Sequence, residues 1–434
     1  MYKGRLILPV LMILVFFSTQ AQAENTLKLE QAYMLVLSQN PQVRSYQARY
    51  LAAEGNRLQQ SLRPNPEAFF EVEDFTVQGP RDGFEATQYT LGIGQQFEIA
   101  GKRSKREKVA DLDKERARQE ALAAIQAILA QTEAAYMRVA IAQERLYLAE
   151  KRVALADKTY QTVKKRVSAA KSAEIQLTKT EIEVADAALE KRKADKELVI
   201  AKLTLANLMN VPVLEQNITA DLSMLPDTPE RAVIIQALEK TPMSMMSQLS
   251  VTRQEAAIDL ARANGVPDPN IGLGVRRFAQ DDTTALLAII SIPIPVLNRN
   301  QGRIAEAKAN LLAAQSDQEE QRLSLTKLAM EMWQTLVNAR EEAHEYQNNI
   351  LPFAQRAYAQ AEDGYNRGAF SFLDLLDAQR TLYNEQDKYL KSLNTFYEAK
   401  AQVDMLTGAY AEIAASAFDQ NTNQKVQGKG QNNE

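Results

Sequence analysis

The sequence predicts a mainly α fold with a β-barrel part, in which each chain gives four transmembrane strands and long coiled-coil helix pairs from two internal repeats. Three observations predict it. From Lys102 to Val211 there is neither glycine nor proline, so a helical period runs unbroken for far longer than a compact domain can use without turning back. Outside that run the pattern is different: Tyr89, Leu91 and Ile93 alternate with Thr90, Gly92 and Gly94, and Ile271, Leu273 and Val275 alternate with Gly272, Gly274 and Arg276. That is the period of a strand with one apolar face. Finally, everything arrives twice in the same order, which marks a duplication.

The elements follow in chain order. Residues 1–23 read as a signal peptide, with Lys3 and Arg5 as a basic start, an apolar run from Leu6 to Phe17, and the small-residue site Ala21-Gln22-Ala23. The first repeat is placed at 24–225. It opens on a helix with the step Asn40-Pro41, reaches the pair Pro64-Asn65-Pro66, forms a hairpin over about 67–97 around the polar turn Thr76 to Glu85, and continues as a helix pair over about 102–210. A single helix there would run to roughly 165 Å, so a reversal is placed at Val167 to Lys171, leaving a first helix of about 100 Å. The second repeat, 226–418, has the same order. Thr241-Pro242 and Pro267-Asp268-Pro269 precede a hairpin over about 270–294 with its turn at Ala279 to Thr283. A helix pair over about 303–407 follows, interrupted by Pro352 and reversing at Gly364 to Ser371, with Trp333 where Tyr136 stands in the first repeat. The tail 419–434, made of Asn, Gln, Gly and Lys, is expected to be disordered.

Composition excludes several functions. With Lys3 and Arg5 removed, 49 basic residues face 55 acidic ones, a balance of −6 that is too mild and mixed for nucleic acid. No cysteine is present, which removes disulfides, thiolate metal sites and a lipidated thiol at the cleavage point. His344 is the one histidine and sits among Glu341, Glu342 and Glu345 on an exposed stretch, so neither a catalytic base nor a metal centre is expected, and no cofactor. Met243, Met245 and Met246 are expected to fill a core rather than to ligate copper. The chain is therefore expected not to be an enzyme.

Past the signal peptide no apolar run approaches the ~20 residues of a membrane helix. Any membrane crossing is by strands, and four strands cannot close a barrel without leaving unpaired edges in hydrocarbon. A homotrimer would supply twelve strands and a continuous helical tube, with alanine-rich stretches such as Ala121 to Ala135 and Ala305 to Ala314 allowing close helix approach. The candidate site lies between Tyr365 and Gln379. Ser371 and Asp374 have capping-box spacing, and Asp374 and Asp377, three apart, share a face of the restarted helix next to a chain reversal. Local geometry alone fits a solvated helix cap.

The Phe97 to Arg103 run (Phe-Glu-Ile-Ala-Gly-Lys-Arg) and the Ile292 to Arg303 run (Ile-Pro-Ile-Pro-Val-Leu-Asn-Arg-Asn-Gln-Gly-Arg) are similar to strand-to-helix junctions of the TolC family of outer-membrane efflux ducts, in particular its cobalt-zinc-cadmium resistance branch. The resemblance spans essentially the whole mature chain. It implies a trimeric TolC-like α/β barrel in outer-membrane lipid, a helical tube in the periplasm, and a tip that meets a periplasmic adaptor protein and an inner-membrane resistance-nodulation-division pump. It implies an acidic ring of Asp374 and Asp377 beside Tyr365 at the periplasmic constriction, a reading compatible with capping. Six such carboxylates would raise one another's pKa. Phe370 stands where the best-studied member has arginine, and Ser168 where many relatives have glycine. The adaptor is expected at the reversals, through Val167, Ser168, Ala169, Gly368, Phe370 and Phe372, the two phenylalanines being taken as exposed. The cargo implied is heavy-metal cations. Organic drugs and type I protein secretion are the alternative within the duct reading, and a secreted coiled-coil scaffold the alternative outside it.

Overall fold

The structure, a computed structural model, describes residues 26–75 and 84–430, the last ten of these by backbone alone. The signal-peptide segment, most of the first hairpin's turn and residues 431–434 lie outside the described residues. A short parallel pair, β1 (Thr26–Leu27) with β4 (Asn217–Ile218), ties the start of the described chain to the end of the first repeat. Between them come α1 (Leu29–Gln39), α2 (Pro41–Ser61), β2 (Glu67–Glu73), β3 (Gln88–Gln96), α3 (Lys102–Ser168) and α4 (Glu174–Leu208). The second repeat supplies α5 (Arg231–Leu238), α6 (Pro242–Asn264), β5 (Asn270–Phe278), β6 (Thr283–Ser291), α7 (Gln301–Glu345), α8 (Leu351–Arg367) and α9 (Phe372–Thr407).

The duplicated Asn-Pro and Thr-Pro steps are helix starts. Asn40 accepts from the Gln42 amide at 2.8 Å and Thr241 from the Ser244 amide at 3.3 Å, while Pro41 and Pro242 occupy first-turn positions where no amide hydrogen is needed. The strands form one antiparallel sheet in the order β2-β3-β5-β6, so the two hairpins join through β3 and β5, with Leu91 opposite Val275 and Ile93 opposite Leu273. One face carries Phe70, Leu91, Ile93, Leu273, Leu286 and Ile290, all exposed. The other is crowded: a Cβ at Gly92 would lie 2.3 Å from the Phe69 ring, which explains why that strand alternates with glycine.

Helix α3 has 67 residues and so spans about 100 Å. It continues through Ser168, so the reversal occupies residues 169–173, with Ala170 at φ 56°. Pro352 does not interrupt the second helix run. Ahead of it, Tyr346–Ile350 form a π-helical turn in which the Leu351 amide bonds the Tyr346 carbonyl, and the wider turn accommodates the proline ring and its missing donor. Gly368 (φ 81°) then ends α8. Helix α10 (Ala411–Gly430) leads into the stretch expected to be disordered from residue 419, of which residues 431–434 lie outside the described ones. Its start is seated by Tyr410, Ala414 and Phe418 in the main core, and the polar stretch beyond contains no proline to stop the helix.

The main core gathers α1, α3, α4, α5, α7, α9 and α10 around Ile125, Leu129, Leu205, Leu336, Leu393 and Phe396. Tyr136 and Trp333 act alike in the two halves. The Tyr136 hydroxyl donates to the carbonyls of Leu27 (2.8 Å) and Thr219 (3.0 Å), and Trp333 Nε1 donates to the Pro229 carbonyl (2.9 Å), so each pins a connecting segment to its long helix. Met243 and Met245 are not core: both are exposed on α6, whose inward face is carried by Ile258 and Ala261 instead.

Candidate functional site

The two helix reversals meet at one end of the long helices, around a small core of Val163, Tyr358, Tyr365, Phe372, Leu375 and Leu376. Tyr365 is buried at its centre. Its ring lies 6.0 Å from that of Phe372 and 4.6 Å beneath the Arg166 guanidinium, and Arg166 Nη1 also donates to the Tyr365 carbonyl at 2.6 Å. Arg166 belongs to the last turn of α3, so one side chain fastens the α3–α4 reversal to the α8–α9 reversal. The Tyr365 hydroxyl reaches Gln176 of α4 at 3.4 Å. Further along, Arg152 bonds both Asp387 carboxylate oxygens (3.1 and 2.9 Å) and the Tyr383 carbonyl (2.9 Å), and Arg380 pairs with Glu183, so α9 is fastened to both helices of the first repeat.

Ser371 and Asp374 form the capping box that their spacing predicts. The Ser371 amide donates to Asp374 Oδ2 at 2.8 Å, and the Asp374 amide donates to Ser371 Oγ at 3.2 Å. Hydrogen bonding to the carboxyl from Ser371, its hydroxyl first and its backbone amide second, holds Asp374 below the ordinary aspartate range. Within one chain the direction is thus opposite to the mutual raising expected of clustered acids, because the charged form accepts hydrogen bonds and the group stays in water. Asp374 and Asp377 are both exposed, one turn apart at the start of α9.

At the α8–α9 reversal the Ala369 and Phe370 amides both return to the Gly364 carbonyl, at 2.8 and 3.2 Å. Phe370 folds back over Gly364, where a Cβ would lie 2.3 Å from its ring, yet it remains 49% exposed. Phe372 is not exposed: it is 5% accessible and packs on Tyr365, since the first position of α9 faces inward. Leu373, 63% accessible, takes the outward place that Phe372 was expected to hold. At the other reversal Val167 is half-buried against the tip core, while Ser168 and Ala169 are exposed, as is Gly368 across from them. Sequence reasoning missed Arg166 and Gln176, and had Gly364 only as the start of the reversal. Arg166 was visible only as a basic residue at a helix C-terminus, and its partner lies 199 positions away.

A second polar centre lies in the main core. Glu133 accepts from Tyr33 (2.8 Å), Tyr410 (2.7 Å) and Lys400 (2.9 Å), and Lys400 also pairs with Asp404 at 2.5 Å. Burial pushes Glu133 up, but Lys400 and the two hydroxyls outweigh it and leave its pKa below the usual value. Burial likewise dominates at Asp404, and there it wins, so that carboxyl titrates above the ordinary range. Among the described residues no group of three or more His, Cys, Asp or Glu is placed to hold a metal ion, and no helix is long and apolar enough to cross a membrane.

Comparison with known proteins bears on the whole of this architecture. The sequence matches the family described as Outer membrane efflux protein over residues 32–211 and again over residues 233–409. It is 31% identical to the cobalt-zinc-cadmium resistance protein CzcC of Cupriavidus metallidurans over 389 residues, covering 89% of this chain and 91% of that one. The fold is similar to that of CusC (TM-score 0.72, 17% identity, 90% of this chain and 91% of that one) and of the MtrE outer membrane channel of Neisseria gonorrhoeae in its open state (TM-score 0.73, 18% identity, 88% of each chain). Strands in an outer-membrane barrel and a helical part that extends into the periplasm place the tip at the periplasmic end, and the chain belongs to the outer membrane efflux protein family.

Proposed function

We propose that this protein is the outer-membrane duct of a tripartite efflux system that exports heavy-metal cations, working as a homotrimer with a periplasmic adaptor and an inner-membrane resistance-nodulation-division pump. The observation that carries the reading is the exposed pair Asp374 and Asp377 at the mouth of about 100 Å of helical wall, beside the Arg166–Tyr365 fastening. Three copies would present six carboxylates to a passing cation. The likeness to CzcC supports a metal cargo. Trimer formation is supported by the open sheet, since β2 and β6 each leave an edge that needs a strand from another copy. The adaptor surface comprises Val167, Ser168, Ala169, Gly368 and Phe370, with Leu373 in place of the buried Phe372. The duct is a conduit and not an enzyme, in keeping with a family of channels.

The test is growth and cell metal content across cobalt, zinc, cadmium, nickel, copper and silver, with dyes and antibiotics alongside, in a deletion strain complemented by the wild type or by D374N/D377N. Retention of one or a few metals on deletion, partly uncorrected by the double variant, is the expected result. Unchanged metals with lost drug resistance or lost protein secretion would overturn the choice of cargo.

A further inference from the structure

The two strand-to-helix junctions differ in a way that duplication does not explain. In the first repeat the junction is short and bonded to protein. The Phe97 amide donates to the Pro269 carbonyl at 2.9 Å, the Ile99 amide to Asp268 at 2.9 Å, and Asp268 is paired with Lys102 at 2.7 Å, both side chains only 8% accessible. In the second repeat the corresponding stretch runs from Ile292 to Asn300, and its first six residues are apolar and turned outward more fully than Phe97 and Ile99 of the first junction, which are 49 and 41% accessible. Ile292, Ile294, Val296 and Leu297 are 55, 83, 66 and 88% accessible.

We propose that this loop is a membrane anchor, seated among the phospholipids of the periplasmic leaflet and extending the barrel's lipid-facing band. The outward apolar residues of β6 run only from Leu286 to Ile290. Four residues at ~3.4 Å, foreshortened by a strand tilt of ~40°, give a height of about 10 Å, against the ~25 Å that an outer-membrane barrel presents to lipid. Above Leu286 the outward position is the polar Thr284, so the shortfall cannot be met on that side of the strand. Below Ile290 the same outward alternation continues through Ile292 and Ile294, and the loop supplies the missing height.

The loop's backbone is also prepared for a water-poor setting. Pro293 and Pro295 carry no amide hydrogen, the Val296 amide bonds the Ile294 carbonyl at 2.9 Å, Arg299 donates to the Pro295 carbonyl at 3.2 Å, and Gln301 donates to the Leu297 carbonyl at 3.1 Å. Its protein side is fixed as well. Asn300, at φ 61°, donates to the Ala261 carbonyl at 2.7 Å, and the Arg299 carbonyl sits where a Cβ on residue 265 would come within 2.6 Å, which requires Gly265. Clamped from behind by polar atoms, the loop turns its aliphatic side chains away from the protein.

The inference rests on the outer-membrane placement of the strands, and the experiment separates the two. Because the chain has no cysteine, Ile294→Cys and Leu297→Cys can each carry a single spin label in the full-length protein, reconstituted in phosphatidylethanolamine–phosphatidylglycerol vesicles. Ile290→Cys reports the barrel and Asp317→Cys the exposed helical wall. Collision with oxygen exceeding collision with a water-soluble nickel chelate at 294 and 297, by a margin smaller than at 290, is the expected result for a shallow lipid site. Nickel collision at 294 and 297 equal to that at 317 would place the loop in water or in the lumen. Low collision with both probes would place it under a second copy of the chain. Either outcome with a lipid-exposed Ile290 overturns the anchor alone, whereas a water-exposed Ile290 would overturn the barrel placement too.

Discussion

Arg166 concentrates two interactions on one neighbour, a charge-assisted hydrogen bond to the Tyr365 carbonyl and a guanidinium over the Tyr365 ring. A bond from a charged donor contributes about 1.5–3 kcal/mol and the ring contact about 0.5–1 kcal/mol. Arg166→Ala is therefore expected to loosen the two reversals by about 2 kcal/mol, some thirtyfold in the population of separated tips. Single-channel conductance in planar bilayers should rise accordingly, and Tyr365→Phe, which removes only the long 3.4 Å contact to Gln176, should leave it nearly unchanged. Asp374 has a separate, local duty. Its pKa is lowered by the Ser371 bonds, so the cap is fully formed above the ordinary carboxylate range and is lost as pH falls through that lowered value. Asp374→Ala is expected to speed amide exchange over residues 372–376, corrected for intrinsic rate, and acidification should reproduce that loss in the wild type but add nothing in the variant. The Ser-x-x-Asp spacing was legible in the sequence because capping is a local interaction. The burial of Phe372 was not, because which side of a first helical turn faces inward is set by α3 and α8, which no local window contains.

Among the elements, α1, α3, α9 and the turn before α10 meet on one carboxylate, Glu133, held by Lys400, Tyr33 and Tyr410. Removing one partner of such a pair strands the other charge away from water, at a cost of about 3 kcal/mol. Lys400→Met should lower the helical domain's stability by that amount in denaturant titration, and Glu133→Gln added to it should recover part of the loss, giving a coupling of about 1 kcal/mol or more in a double-mutant cycle. Helix and strand positions were readable from period alone, since glycine-free runs and period-two alternation are properties of the chain itself. The start of α10 was not readable in that way, because Phe418 is seated in a core supplied by the preceding helices, which no local window contains.

For the whole molecule, the repeat fixes a register as well as a topology. Proline 66 corresponds to Pro269, and the hairpin pairs Glu67–Gly94 and Asn270–Ser291 correspond. The observed pair Ile93–Leu273 between β3 and β5 then maps onto Ile290 of one copy opposite Phe70 of the next. Directly opposed residues have Cα atoms about 4.5–5.5 Å apart, within disulfide reach. Ile290→Cys with Phe70→Cys should therefore form a ladder of dimers and trimers on oxidation, and Ile290→Cys with Val72→Cys should do so poorly. The π-helical turn at Tyr346–Ile350 carries a further consequence for the assembled duct. One surplus residue in a helix turns everything beyond it by about 100°, and Tyr365 lies fifteen residues, or about 22 Å, beyond the end of that turn. The angular setting of the tip is thus written well up the wall, like the phase of a screw thread. Deleting Asn348 alone should relax the turn to α-helix, swing Gly364 and Tyr365 out of the tip core, and impair closure without touching a single residue at the mouth, which conductance of the deletion variant would reveal.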